Sequence, residues 1–428
     1  MKINTNTKRL LSNTLFLYLM TISVQILNLL TIPYLTRVLG PTIYGRIGLA
    51  QGYMSYVQII LDFGFILSAT QRISECRNDK KLAARIISSV SSIKLILTGT
   101  VLIIFGILYT FNFFDTANAA IISIYLIGYL FNALLPDYFY RGIEDMKITS
   151  IRTVIIRIIF TLLVFTCVKQ KEDYLFVPIS FLVGSLVALM FSVLDIKIRY
   201  KVKMVLPNIQ DTVSMFRNSI PFFVSRFAST FYQALDVIIL GKLYGTAPVV
   251  GYYTTSDKAI TLSKMAASPI ADSLYPYMLA NKNFRLVKKI LLIFMPIITM
   301  GVILVAGFAE PLCVFAFGKE YAGAGNVLRL LLPIAWVILP TYIIAFPVMS
   351  PLGLTKYANY SNVIGMCIQI VGLFLLKITR NMNVYTICGL TSLTEVSVFL
   401  YRLIVVLLRK KLKLGEGNGN SILCSKLK

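Results

Sequence analysis

Apolar residues along this chain come in long blocks, each long enough to read as a helix through a bilayer. Windows fall at roughly 10–35, 43–68, 86–110, 117–139, 149–168 and 174–194. A second set falls at roughly 215–240, 249–274, 287–308, 325–349, 358–377 and 384–408. The pattern predicts an all-α membrane protein of about twelve transmembrane helices. The first block is longer than a signal-peptide core, and no small-residue cleavage site follows it, so it reads as a retained span.

Polar residues inside four blocks are ordered. In the first span Thr14, Tyr18, Thr21, Gln25 and Asn28 recur at alternating steps of four and three. The second carries Gln51, Ser55, Gln58 and Asp62, the seventh Arg226, Ser229, Gln233 and Asp236, and the eighth Asp257, Thr261, Lys264, Ser268 and Asp272. At 100° per residue each set falls within an arc of about 80°. One reading is helix packing, which Ser, Thr and Gln commonly mediate in membranes. The other is a water-filled cavity between two halves of the chain, lined by these four spans. A charge at mid-bilayer costs about 2.5 kcal/mol or more on insertion scales. The charges of the seventh and eighth spans, Lys258 included, therefore favour the cavity. Lys94, Arg157 and Arg402 lie close enough to predicted cytoplasmic ends to snorkel. Glu395, deeper in the last span, is a candidate ion or proton site, or the partner of a neighbouring base.

Composition agrees. Hydrophobic residues make up 57% of the chain and charged ones 14%, where a soluble domain carries about 25% charged. The formal charge of +24 would suggest nucleic acid on a soluble protein. Here the basic residues gather in alternate loops and in both tails, among them Lys80, Lys81, Lys201, Lys288, Lys289 and Lys410. The positive-inside rule puts those loops and both termini in the cytoplasm and leaves nucleic acid without a role. The external loops, the longest at about 309–324, are short, which leaves no room for an external domain. The basic loop at about 195–214 is the natural joint, dividing an N-lobe (1–205, six helices) from a C-lobe (206–414, six helices) and a cytoplasmic tail (415–428).

The halves also echo each other. Gly40-Pro41 with Gly45 after the first span matches Gly245, Pro248 and Gly251 after the seventh. Asp62 and Asp272 take equivalent places, and Pro136 with Gly142 matches Pro347 with Gly353. Ordered internal repeats are a transporter signature.

Other chemistry is sparse. The chain has no histidine, its six cysteines show no CxxC spacing, and GxxxxGK[ST] is absent. Neither a metal, a cofactor nor ATP hydrolysis is indicated, and no catalytic residue is assigned. A membrane glycosyltransferase, polymerase or ligase would need a sizeable external loop or a DxD pair, and both are missing. A non-transporting scaffold would leave the polar stripes unexplained.

Several motifs resemble those of the Wzx-type O-antigen and capsular polysaccharide flippases. They are Thr31-Ile32-Pro33-Tyr34-Leu35-Thr36-Arg37-Val38-Leu39-Gly40 with Tyr44-Gly45, Asp62-Phe63-Gly64-Phe65, and Arg141-Gly142-Ile143-Glu144. Pro221-Phe222-Phe223, Val250-Gly251-Tyr252-Tyr253 with Asp257-Lys258, and Leu274-Tyr275-Pro276-Tyr277 complete the set. That family belongs to the multidrug/oligosaccharidyl-lipid/polysaccharide (MOP) exporter superfamily. The resemblance implies two six-helix lobes in a V. It implies a substrate, an oligosaccharide repeat unit on undecaprenyl pyrophosphate, turned from the cytoplasmic to the periplasmic leaflet of the bacterial inner membrane. Polysaccharide polymerase and chain-length proteins are candidate partners beside membrane lipids.

A pyrophosphate needs cations, and Arg suits it because its fork binds two oxygens at once. Arg226 and Lys264 are the first choices, with Lys258, Arg37 and Arg46 beside them. Gln25, Asn28, Gln51, Gln58 and Gln233 would meet sugar hydroxyls. Asp62, Asp236, Asp257, Asp272 and Glu395 are the candidates for ion coupling, which stays open. A teichoic-acid precursor or a drug in the same fold is the nearest alternative cargo.

Overall fold

The computed structural model describes residues 5–75, 79–201, 205–245 and 247–423. Side chains at 1–18, 116–117, 225, 228–229, 232–233, 276, 280 and 410–428 fall outside that description. Thr14, Tyr18, Ser229 and Gln233 of the polar stripes, Lys410 and the tail side chains therefore lie beyond it.

The chain is helical. The first half holds α1 (Thr5–Asp62), α2 (Phe65–Glu75), α3 (Lys80–Thr110), α4 (Thr116–Ala133), α5 (Asp137–Gly142), α6 (Met146–Cys167) and α7 (Phe176–Ile198). The second holds α8 (Ile209–Tyr244), α9 (Pro248–Asn281), α10 (Phe284–Gly307), α11 (Ala309–Phe317), α12 (Ala324–Ile343), α13 (Thr355–Ile378) and α14 (Val384–Leu423). Nine stretches of the described residues are long and apolar enough to cross a membrane. Polar caps start the exposed ends: Asp79 accepts from the amides of Lys81 and Leu82, and Asn208 from that of Gln210.

Residues 1–254 with 314–322 form one compact unit, and 255–313 with 323–428 form a second. The boundary between them falls within α9, and α8 packs on α1, α2 and α3 of the first unit. The segment 309–324, read from sequence as an external loop, contains α11 and a 3-10 turn at Lys319–Tyr321.

In unit 1, α1 is two helices joined at Gly40, whose φ of 71° suits a residue without a Cβ. Contacts show that the chain reverses there. Before Gly40, Asn28, Thr31 and Tyr34 meet Arg157, Thr161 and Val168 in order, so this arm runs parallel to α6. After it, Arg46 and Gln51 meet Asn118 and Tyr125, so this arm runs parallel to α4. The Tyr125 ring meets Phe181 at a tilt, and Tyr140, just past α4, bonds Asp195, so α4 runs with α7. On α6, Arg152 bonds Ser192 and Ile156 meets Gly184, so α6 runs against α7. The two arms of α1 are therefore antiparallel.

A glycine seam lets helices close on the second arm. A Cβ on Gly45 would sit 2.6 Å from the Gly251 nitrogen. Cβ atoms on Gly48 and Gly52 would overlap the side chains of Thr254 and Val237. Gly45, Gly48 and Gly52 share one helical face, the small-residue device of close membrane packing. The break after the seventh span also turns on a glycine at positive φ, Gly245 at 58°.

In unit 2 the core is built from Ala267, Leu274, Met278, Ile338, Leu339 and Ile343, with flanking apolar residues. Helix α12 carries Pro333 and Pro340 and ends in a π-helical turn, Ile344–Val348, around Pro347. The chain also breaks near the matching Pro136, which caps α5.

Candidate functional site

Unit 1 gathers charge at the end of α1. Gln58 Nε2 donates to Asp62 Oδ1 at 2.9 Å, and Arg226 Nη2 lies 4.0 Å from Asp62 Oδ2. The turn after Asp62, with Phe63 and Gly64 at positive φ, brings this cluster against α8: a Cβ on Gly64 would meet the Phe222 side chain at 2.7 Å. The Arg226 side chain is 47% exposed, so its pairing is weak and open to exchange.

The second cluster lies wholly in unit 2. Lys264 Nζ on α9 donates to Glu395 Oε1 on α14 at 3.3 Å, and their side chains are 18% and 7% exposed. Separating a buried pair by removing one partner typically costs about 3–5 kcal/mol, well above a surface pair. Helix α9 has a second, apolar face. Ile260, Ala267, Phe294, Gly301, Leu328 and Ile338 are among the residues lining a cavity of about 520 Å3 between α9, α10 and α12.

The remaining candidates separate. Gln51 Nε2 donates to the Tyr125 hydroxyl at 3.2 Å. Asn28 accepts from Arg157. Gln25 is half-buried on the same arm of α1. Arg46 Nε donates to Asn118 Oδ1 at 2.9 Å and lies over the Tyr174 ring. Arg37, exposed, donates to the Phe315 carbonyl. Asp236 is fully buried and accepts from the Tyr253 hydroxyl at 3.5 Å. Asp257 and Lys258 are half-buried on α9, and Asp272, exposed, accepts from Ser268 at 2.9 Å. That bond repeats Gln58 to Asp62 one turn back at the equivalent place. Among the described residues no group of three or more His, Cys, Asp or Glu is arranged to hold a metal.

Lys94, Arg157 and Arg402 do not snorkel; each turns to acceptors on neighbouring helices. Lys94, 5% exposed, donates to the carbonyls of Ala133 and Leu135 at the end of α4. Arg402, 6% exposed, donates to Ser361 Oγ, the Thr341 carbonyl and Asn362 Oδ1. Arg157 stands about 16 Å along α6 from Met146, beyond the reach of its own side chain, and turns to Asn28. Each cation finds acceptors at its own depth. Sequence spacing alone could not show this, because every acceptor lies on another helix.

These long apolar helices define a multi-pass membrane protein. Its fold is shared with solved transporters. Similar structures are "Lipid II flippase MurJ, inward closed conformation" (TM-score 0.71, 14% identity, 92% of this chain and 87% of that one) and an inward-facing "multidrug resistance MATE family transporter of the MOP superfamily" (TM-score 0.68, 14%, 91% and 96%). A family model described as "Polysaccharide biosynthesis protein" matches residues 10–282. Two relatives carry the name "Putative O-antigen transporter". One, from Escherichia coli (strain K12), is 28% identical, covering 78% of this chain and 82% of its own. The other, from Shigella dysenteriae, is 23% identical, covering 85% and 91%. The chain belongs to the polysaccharide biosynthesis protein family, as its Wzx-type motifs led one to expect.

Proposed function

We propose that this chain is a flippase for undecaprenyl-pyrophosphate-linked oligosaccharide repeat units, carrying them from the cytoplasmic to the periplasmic leaflet of the bacterial inner membrane by alternating access. The observation that carries the reading is the pair of cation–carboxylate contacts inside a chain of this family, Arg226 with Asp62 and Lys264 with Glu395. Family, relatives' names and fold together support a transporter rather than an enzyme. Twelve spans with both ends cytoplasmic fit the nine apolar stretches, the reversal at Gly40, and α8 and α9, each long enough to cross.

The pairs suggest how the head group is held. Pyrophosphate oxygens compete with a carboxylate for the same cation. Arg226 exchanges easily, being exposed and 4.0 Å from Asp62. Lys264 exchanges at greater cost, because Glu395 is buried. A carboxylate left by its cation is open to a coupling cation in its place. Asp62 and Glu395 are thus the foremost ion-coupling candidates, with Asp236, Asp257 and Asp272 behind them. Gln25, Asn28, Gln51, Gln58 and Gln233 would serve sugar hydroxyls, and Lys258, Arg37 and Arg46 the anionic end. Deleting the gene in its host tests the proposal. Lipid-linked repeat units should accumulate with their sugars facing the cytoplasm while surface polysaccharide is lost. Unchanged surface polysaccharide would reject it.

A further inference from the structure

The cations packed between the helices of this chain are compensated in different ways. Arg152 meets Asp137 and Ser192. Lys264 meets Glu395, Lys94 two backbone carbonyls, and Arg402 three oxygens. Arg157 stands apart. It sits at the middle of α6, with no carboxylate within 4.0 Å among the described residues. A guanidinium has five N–H donors. Here Nη2 bonds the neutral Asn28 Oδ1, while the buried Nε has no acceptor. The group lies 4.7 Å over the Phe160 ring, which fixes its plane without neutralising it. The nearby titratable groups, Tyr44 and Tyr125, are phenols and bring no negative charge at neutral pH.

We propose that Arg157 is the centre of an anion site in unit 1, receiving an oxyanion of the transported molecule; this rests on the flippase reading and adds a binding residue to it. A desolvated, uncompensated guanidinium is a strong receptor for phosphate or carboxylate oxygens, which its planar fork accepts two at a time. Asn28 is a positioning residue that holds the fork. Arg157 and Asn28 are both half-buried, so the site keeps an opening. The oxyanion has two possible sources, the carrier pyrophosphate and an acidic sugar.

The test measures binding of inorganic pyrophosphate and of glucuronate, separately and at constant ionic strength, to the purified full-length chain in nanodiscs. The wild type should bind at least one of them. Arg157→Gln should weaken that binding by at least about tenfold, with Arg157→Lys intermediate because a point charge replaces the fork. Loss confined to pyrophosphate assigns the site to the carrier, and loss for glucuronate assigns it to the sugar. No binding by the wild type, or equal binding by Arg157→Gln, overturns the proposal. If Arg157→Gln does not fold, Asn28→Ala decides: several-fold weaker binding with the guanidinium still present supports the site, and unchanged binding overturns it. Arg157-dependent binding by a protein that moves no lipid-linked oligosaccharide in vesicles would sink the flippase reading and leave the anion site standing.

Discussion

Gly251 offers a sharp test of the packing that positions unit 1. A Cβ placed there would overlap the Pro41 carbonyl oxygen and lie 2.6 Å from its carbonyl carbon and 2.8 Å from its Cα. Carbon atoms in contact settle at about 3.5–4.0 Å. Gly251→Ala therefore asks the start of α9 and the turn after Gly40 to separate by roughly 0.9 Å for the carbons alone, and further for the nearer carbonyl oxygen. The obstructing atoms are backbone, so no rotamer change relieves them. Overpacking of this kind typically costs about 1–3 kcal/mol, and an unyielding backbone contact puts this case near 3 kcal/mol. Gly301, inside α10, supplies the control, because nothing lies within 4 Å of its added Cβ. Gly301→Ala should gain up to about 1 kcal/mol of helix propensity. Thermal unfolding of both variants in one detergent reads the contrast. Gly251→Ala should melt clearly below wild type and Gly301→Ala at or slightly above it. A Gly251→Ala protein as stable as wild type would refute the close approach of α9 to Pro41.

Other outcomes follow from the charged clusters. Replacing Arg226 or Lys264 with Ala should abolish surface polysaccharide while the protein stays in the membrane; normal polysaccharide at normal protein level in both would refute their role. Lys264→Ala should also lower the melting point more than Arg226→Ala, because only Lys264 serves a carboxylate that is 7% exposed; equal effects would refute that ranking. Single cysteines at 257, 261, 264 and 268 of α9 should react with a membrane-impermeant maleimide, while those at 260 and 267 on the apolar face should not. A flat profile would favour helix packing as the role of the stripe. Lys94→Met should destabilise the protein by about 1–3 kcal/mol, since two buried carbonyls lose their donor; unchanged stability would show that those bonds contribute little.

Much of the helix layout was legible in the sequence, because lipid demands long apolar blocks and leaves few alternatives to a helix. The Gly40-Pro41 break was visible for the same reason: a positive φ leaves a glycine behind. Gln58 with Asp62 and Ser268 with Asp272 are linked by bonds four residues apart, within reach of any helix periodicity. Partners across helices were hidden. No sequence spacing links Lys264 to Glu395 or Arg157 to Asn28, residues more than a hundred positions apart that packing alone brings together. For this reason Arg157 passed for a residue at the membrane edge. Asp236 had the periodicity of a stripe residue, yet packing encloses it completely.

The most direct measurement of the central claim is movement of the lipid itself. The purified chain is reconstituted into vesicles with a fluorescent undecaprenyl-pyrophosphate oligosaccharide on both leaflets, and a membrane-impermeant quencher is added outside. Protein-free vesicles should lose about half of the signal, the outer leaflet's share. Vesicles with this chain should lose nearly all of it, at a rate that falls when Arg226 is replaced. Quenching that stops at half in the presence of folded wild-type protein would contradict the account.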